Sequence, residues 1–247
     1  MRPTYPGYLS HTFGPGPITP AVRALIVLNV AGYLLPLVVP SLTFRLGLVP
    51  ALVLERWWFW QPVSYMFLHG GLFHLLFIML ALWMFGVDLE RQWGTRFFGR
   101  FYFVAGTGAA LTTIVMSLLP FGFADALYAS VTVGASGAIY GLLVAFAMLY
   151  PHRPVYLYLL FPIPARVFVL IIGAISFLSS VTETSGGVAH ATHLGGLVAG
   201  YFYLAGRRGR FFSTVRSQWL RWRLARMRRR FDVHEGGRKG PGGPWVH

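Results

Sequence analysis

The sequence contains no cysteine. Disulfide frameworks, thiolate nucleophiles and thiolate metal sites are therefore excluded, and cysteine usage says nothing about redox compartment. Charge is nearly as scarce. Of the 247 residues 11% are charged and 55% are hydrophobic, whereas an ordinary soluble domain carries about 25% charged residues. Only seven residues are acidic, and no Asp or Glu completes a hard-metal site with the histidines. The first twenty residues are rich in Pro and Gly and lack an apolar centre, which argues against a cleavable signal peptide. A first apolar span is expected to be retained.

What the chain does have is apolar stretches of 16 residues or more, a length that reads as membrane-spanning rather than as a soluble core. Six spans are expected, at about 21–39, 72–87, 97–119, 134–150, 167–180 and 189–205, giving an all-α membrane protein. Trp57, Trp58, Phe59 and Trp60 cluster after the first span, a density that suits a membrane interface. The domain reading is a cytoplasmic N-terminal segment at 1–20, a six-span domain at 21–206 and a basic cytoplasmic tail at 207–247.

The net charge is +14, and twelve of the 21 Lys and Arg residues follow Leu204. A basic tail directly after a span points to an anionic inner leaflet rather than to nucleic acid. Leu220, Leu224, Met227 and Phe231 recur at helical spacing among its arginines. Two readings stand for it, an amphipathic surface helix and a solvated basic tail. The final stretch, 236–247, is rich in Gly and Pro and is expected to be disordered. Arg91, Arg96, Arg153, Arg166, Arg207 and Arg208 fall in alternate loops and the tail, so both termini are expected to be cytoplasmic.

With that orientation, the second, fourth and sixth spans all run inward, and each opens with a chemically competent residue. His74 precedes Arg91 by 17 residues, Ser136 precedes Arg153 by 17, and His193 precedes Arg207 by 14. At about 1.5 Å per residue the three lie roughly 21 to 25 Å from the inner anchors, in one layer. Ionisable groups inside spans are costly and tend to be functional. Serine becomes a nucleophile when a base takes its proton. A second histidine can donate to a developing oxyanion. The N–H of Ser136 opens a helix, where the first N–H groups lack intrahelical acceptors and the dipole favours an anion. No carboxylate shares this depth, since Asp125 and Glu183 lie in loops, so a Ser136–His193 dyad is expected rather than a triad. Gly137 and Gly141 on one span, and Gly196 and Gly200 on another, are spaced to let two membrane helices approach closely. Tyr140 lies one helical turn after Ser136 and can hold the imidazole.

These residues carry a resemblance. Gly134-Ala-Ser-Gly137-Ala-Ile-Tyr140-Gly141 resembles the nucleophile motif of the rhomboid intramembrane proteases, and the run from His193 to Gly200 resembles their histidine motif. The runs Phe67–His74 and Gly86-x-x-x-Glu90-x-x-x-Gly94 resemble their second-span histidine motif and the turn after it. The resemblance covers roughly 21–206 with the motifs in the family's order. It implies a six-span rhomboid-like bundle with a water-filled site below the outer surface. Ser136 would be the nucleophile and His193 the general base, and His74 and the Ser136 backbone would stabilise the oxyanion. His69, Tyr140, Gly134 and Gly137 would support the site. The substrates would be single-span membrane proteins cut near their outer ends, with no metal or cofactor, and the location a prokaryotic plasma membrane. Two positions depart from the family. Ile78 stands where an Asn usually supplies a further oxyanion donor, and Gln61 stands where Trp-Arg is usual. The alternatives are a rhomboid-like protein that binds membrane clients without cutting them, and a bis-His haem protein using His69, His74, His190 and His193.

Overall fold

Proline and glycine set where the helices of this chain start and stop. The structure, a computed structural model, describes residues 14–120, 124–157, 161–182 and 187–207. The expected helix within the basic tail and the Gly/Pro-rich end lie outside the described residues. Residues Met1–Leu204 form one compact unit and Ala205–His247 a second; the description below concerns the first.

Helix α1 (Pro20–Val38) starts on a proline, whose missing N–H costs nothing in a first helical turn. Only Val22, Leu25 and Asn29 of this helix are buried, while Val27, Leu28, Leu34, Leu35 and Leu37 are exposed. An apolar face of that extent meets lipid rather than water. Three short helices follow, α2 (Ser41–Leu46), α3 (Pro50–Glu55) and α4 (Gln61–Ser64). Helix α5 (Leu72–Ala81) continues through a π-wound turn at Leu82–Gly86 into α6 (Val87–Trp93). The chain then forms α7 (Thr95–Met116), α8 (Ala124–Ala129) and α9 (Ser136–Leu149). A two-stranded antiparallel hairpin, β1 (Pro154–Leu157) with β2 (Phe161–Pro164), precedes α10 (Ala165–Thr182) and α11 (Gly187–Arg207).

Among the described residues two helices are long and apolar enough to cross a membrane, Pro20–Val38 and Leu72–Trp93, and Ser136–Leu149 and Ala165–Ser180 are shorter apolar helices. Helices α7 and α11 match the long ones in length, but α7 carries Arg96 and Arg100, and α11 carries His190 and His193 among its glycines. The helix bounds differ from the expected spans. The second helix runs six residues further, to Trp93, because Glu90 is held by hydrogen bonds rather than exposed as a loop charge. The fourth helix begins at Ser136 rather than Gly134, because Gly134 has φ +120° and cannot be helical.

Helix α9 is the centre of the unit. Eight of its 14 residues are buried, and it packs between α7 and α11 on small residues. A Cβ built on Gly137 would lie 2.5 Å from Ala109 Cβ, and one on Gly141 would lie 2.5 Å from Ala105 Cβ, both on α7. On the other side, a Cβ on Gly196 would lie 1.9 Å from the Gly137 carbonyl oxygen, and one on Gly200 would lie 2.8 Å from Gly141 Cα. The two glycine pairs therefore face one another, and backbone meets backbone there.

Two polar residues fix the ends. Glu90 is 3% exposed, which would be costly for a charge without partners. Its carboxylate accepts from the N–H groups of Ala21 and Val22 at 2.9 and 3.0 Å, from Thr95 Oγ1 at 2.6 Å and from Thr19 Oγ1. It therefore caps the positive N-terminus of α1 and ties it to α6 and the start of α7. Arg91 donates to the carbonyls of Pro15 and Pro17, and Trp83 donates to Gly16, which holds residues 14–19 against the same end. At the other end, Gln61 is fully buried. Its Oε1 accepts from Val49 N at 3.0 Å and its Nε2 donates to the Phe44 carbonyl at 3.2 Å. Ser64 donates to Leu46 and Trp60 to Arg45. The glutamine, which stands where the family usually has Trp-Arg, thus anchors the loop between α1 and α5.

Candidate functional site

Ser136 opens α9, and His193 lies in the second turn of α11. The close approach of the two glycine faces brings them together, with His193 Nε2 2.9 Å from Ser136 Oγ. That is hydrogen-bond reach for a nucleophile and its base. The imidazole lies flat on Tyr140, with ring centroids 4.2 Å apart and planes at 7°. Tyr140 Oη in turn accepts from Ser176 Oγ at 3.3 Å, which links the stack to α10. His193 Nδ1 is buried and makes no hydrogen bond among the described residues, so the ring is oriented by stacking and by its helix rather than by a carboxylate.

His74 reaches the same place from α5. A Cβ built on Gly134 would lie 2.8 Å from His74 Cε1 and 3.1 Å from its Nε2, and 3.9 Å from Ser136 Oγ. The imidazole therefore lies against the backbone two residues before the serine, in space that only glycine leaves open. The positive φ of Gly134 makes the same demand. His69 meets His74 edge-on at 5.2 Å, and His190 meets His193 edge-on at 5.8 Å. Ile78, one turn after His74, is 8% exposed and joins the apolar core. Every site residue expected from the sequence thus falls in one cluster where α5, α9 and α11 meet, with Gly137 in the α7–α9–α11 contact beneath it.

Three supporting residues had no signature in the sequence. Tyr65 is 1% exposed; its carbonyl accepts from Gly134 N at 2.9 Å and its hydroxyl donates to the Gly106 carbonyl at 2.8 Å. It fixes the loop segment that delivers Gly134 to His74. Thr113 on α7 and Thr192, next to His193, share a buried hydrogen bond of 2.7 Å. A tyrosine in a loop and two threonines in apolar helices are unremarkable in sequence. Their roles follow from which helices touch.

Residues 56–210 match the family described as Rhomboid domain, and the chain belongs to that family. The family is one of integral membrane hydrolases that includes proteases, and the chain is accordingly a membrane protein. Rhomboid protease GluP of Bacillus subtilis is 32% identical over 155 residues, 63% of this chain and 27% of that protein. Rhomboid protease AarA of Providencia stuartii is 28% identical over 203 residues, 71% of this chain and 68% of its own. Rhomboid protein 1, mitochondrial, of Saccharomyces cerevisiae is 33% identical over 144 residues, 56% of this chain and 38% of that protein. The chain spans less than half the length of several of the curated relatives it matches.

Proposed function

We propose that the chain is an intramembrane serine endopeptidase that cleaves transmembrane segments of single-span membrane proteins near the outer leaflet. The observation that carries this reading is the 2.9 Å contact between His193 Nε2 and Ser136 Oγ, set in a bundle whose outer face is apolar. The catalytic domain is the six-span unit at about 21–206, with α1, the α5–α6 helix, α7, α9, α10 and α11 as its spans. Both termini are cytoplasmic in a prokaryotic plasma membrane. The basic tail at 207–247 lies against the anionic inner leaflet.

In this reading His193 takes the proton of Ser136 as the oxygen attacks the scissile carbonyl carbon. The carbonyl oxygen becomes an oxyanion. The N–H of Ser136, unpaired within its helix, and the imidazole of His74 donate to it. His193 then returns the proton to the leaving amine, and the peptide C–N bond breaks. Water, deprotonated by the same imidazole, hydrolyses the acyl-serine ester and regenerates Ser136. His69 supports His74, Tyr140 holds the base in plane, and Gly134 and Gly137 provide the approach distances. The chemistry uses no metal or cofactor.

The test is covalent labelling of the purified protein by a fluorophosphonate, together with cleavage of a single-span substrate in proteoliposomes. Ser136 should be the labelled residue, and Ser136→Ala should abolish both signals. Absence of labelling in a folded protein would overturn the reading. It would favour the second one, client binding without cleavage, for which the buried Ile78 in place of a donor is the specific observation.

A further inference from the structure

The α1–α7 surface carries a second feature, independent of the serine. Where α1 begins, the small residues Ala21 and Ala24 face Gly99 and Phe103 of α7 across an open cavity of about 690 Å³. A Cβ on Gly99 would meet nothing within 4 Å. A second cavity of about 510 Å³ adjoins it, sharing Phe103, Val104 and Tyr203 and continuing along α7 past Gly108 to Leu111 beside Ala199 of α11. The two make one groove from Arg96 to Leu111. At about 1.5 Å per residue it is roughly 22 Å long, which exceeds the roughly 15 Å of one leaflet's hydrocarbon.

The groove is apolar along its length and charged at one mouth only. Arg96 and Arg100, one helical turn apart on α7, line that mouth and are both exposed. Neither makes a salt bridge among the described residues, where Arg153–Asp88 is the ion pair. A phospholipid supplies both parts, an acyl chain for the apolar length and a phosphate for the arginines at its mouth.

We propose that this groove is a binding site for an anionic glycerophospholipid, with its phosphate held by Arg96 and Arg100 and an acyl chain laid along α7 past Gly99, Val104 and Gly108. The site bridges α1 and α11 through α7, so bound lipid fills the gap left between these helices.

The test is native mass spectrometry of the full chain in a non-ionic detergent, titrated with dioleoyl phosphatidylglycerol or dioleoyl phosphatidylcholine. One phosphatidylglycerol should bind about tenfold more tightly than phosphatidylcholine, from two basic groups near one lipid charge. Arg96→Gln with Arg100→Gln should remove that preference without changing thermal stability, since both side chains are exposed. Gly99→Leu, which has room for its side chain, should weaken both lipids by filling the groove. Arg226→Gln with Arg230→Gln removes the same charge from the tail and should leave the preference intact. Equal binding of the two lipids, or a preference lost equally in the tail variant, would reduce the effect to diffuse charge and overturn the proposal. A lipid-free dimer that becomes monomeric in the Arg96/Arg100 variant would give the groove to a second copy and also overturn it. None of these readouts depends on proteolysis.

Discussion

Replacing Gly196 by alanine tests the whole arrangement with one methyl group. That methyl would lie 1.9 Å from the Gly137 carbonyl oxygen, 2.7 Å from its carbon and 3.0 Å from its Cα. These are backbone atoms of α9, and no rotamer can move them aside. An ordinary contact begins at 3.4 Å, so α11 must withdraw from α9 by about 1.5 Å, at an overpacking cost of about 1–3 kcal/mol. His193 lies three residues before Gly196 on the same helix and moves with it. A 2.9 Å hydrogen bond drawn out by that amount lies beyond the roughly 3.2 Å limit for proton transfer to a base. A misplacement of about 1 Å can cost 10²-fold in rate, or about 2.7 kcal/mol of barrier. Gly196→Ala should therefore remain folded, with a lowered melting temperature, and lose about a hundredfold in kcat. The rate of fluorophosphonate labelling at Ser136 should fall in parallel. Gly173→Ala is the comparison, because its methyl would meet only the mobile end of Leu197 at 3.4 Å, and it should behave as the parent. A folded Gly196→Ala protein that labels and cleaves at the parent rate would show that helix approach does not set the serine–histidine geometry.

His193→Ala should abolish cleavage of a single-span substrate, whereas His190→Ala should retain measurable activity; the reverse result would reassign the base. Ile78→Asn should raise kcat if its amide reaches the oxyanion, since one donor in such a site can be worth about 10²–10³-fold. The same assay on His74→Ala should show a strong loss, and full activity there would place the donors elsewhere. Glu90→Gln puts an amide N–H where the carboxylate now accepts and should cost about 1–3 kcal/mol of stability. It would be read as a lower melting temperature, with activity per folded molecule preserved.

The candidate site was legible in the sequence because the proposed chemistry needs residue types that apolar helices otherwise avoid. His74, Ser136 and His193 stand out against long apolar runs, and counting back from the arginines gives them one expected depth. The paired glycines were legible for a related reason. Spacing of four puts them on one face, and a face without side chains implies a neighbour at backbone distance. Less could be read where the determinant is tertiary. The loop between α1 and α5 folds into α2, α3 and α4 because Gln61, Trp60 and Ser64 donate to carbonyls 15 to 18 residues earlier, and no local periodicity announces that. The β1–β2 hairpin, with Pro162 and Pro164 in its second strand, has no counterpart in the spans expected from the sequence. Glu90 was visible as part of a motif, but its role as the cap of α1, about seventy residues away, depends on where the first helix starts.

The unpaired Nδ1 of His193 joins these observations to the missing donor. In a serine–histidine–aspartate triad the carboxylate both orients the imidazole and stabilises the imidazolium that forms on proton transfer. Here orientation has other sources: the Tyr140 stack, the Thr113–Thr192 hydrogen bond beside it and the glycine contact behind it. Stabilisation of the imidazolium has no such substitute, because no carboxylate approaches the ring among the described residues. In the proposed mechanism the positive ring must therefore be balanced mainly by the oxyanion it creates, and that oxyanion by its own donors. A site of this design depends more on the oxyanion hole than a triad does. Ile78 removes one donor from that hole without disturbing the packing, so the burden falls on His74 and the Ser136 N–H. The double variant His74→Ala with Ile78→Asn should then recover part of the rate that His74→Ala loses, and no recovery in a folded protein would place the side chain at 78 out of reach of the oxyanion.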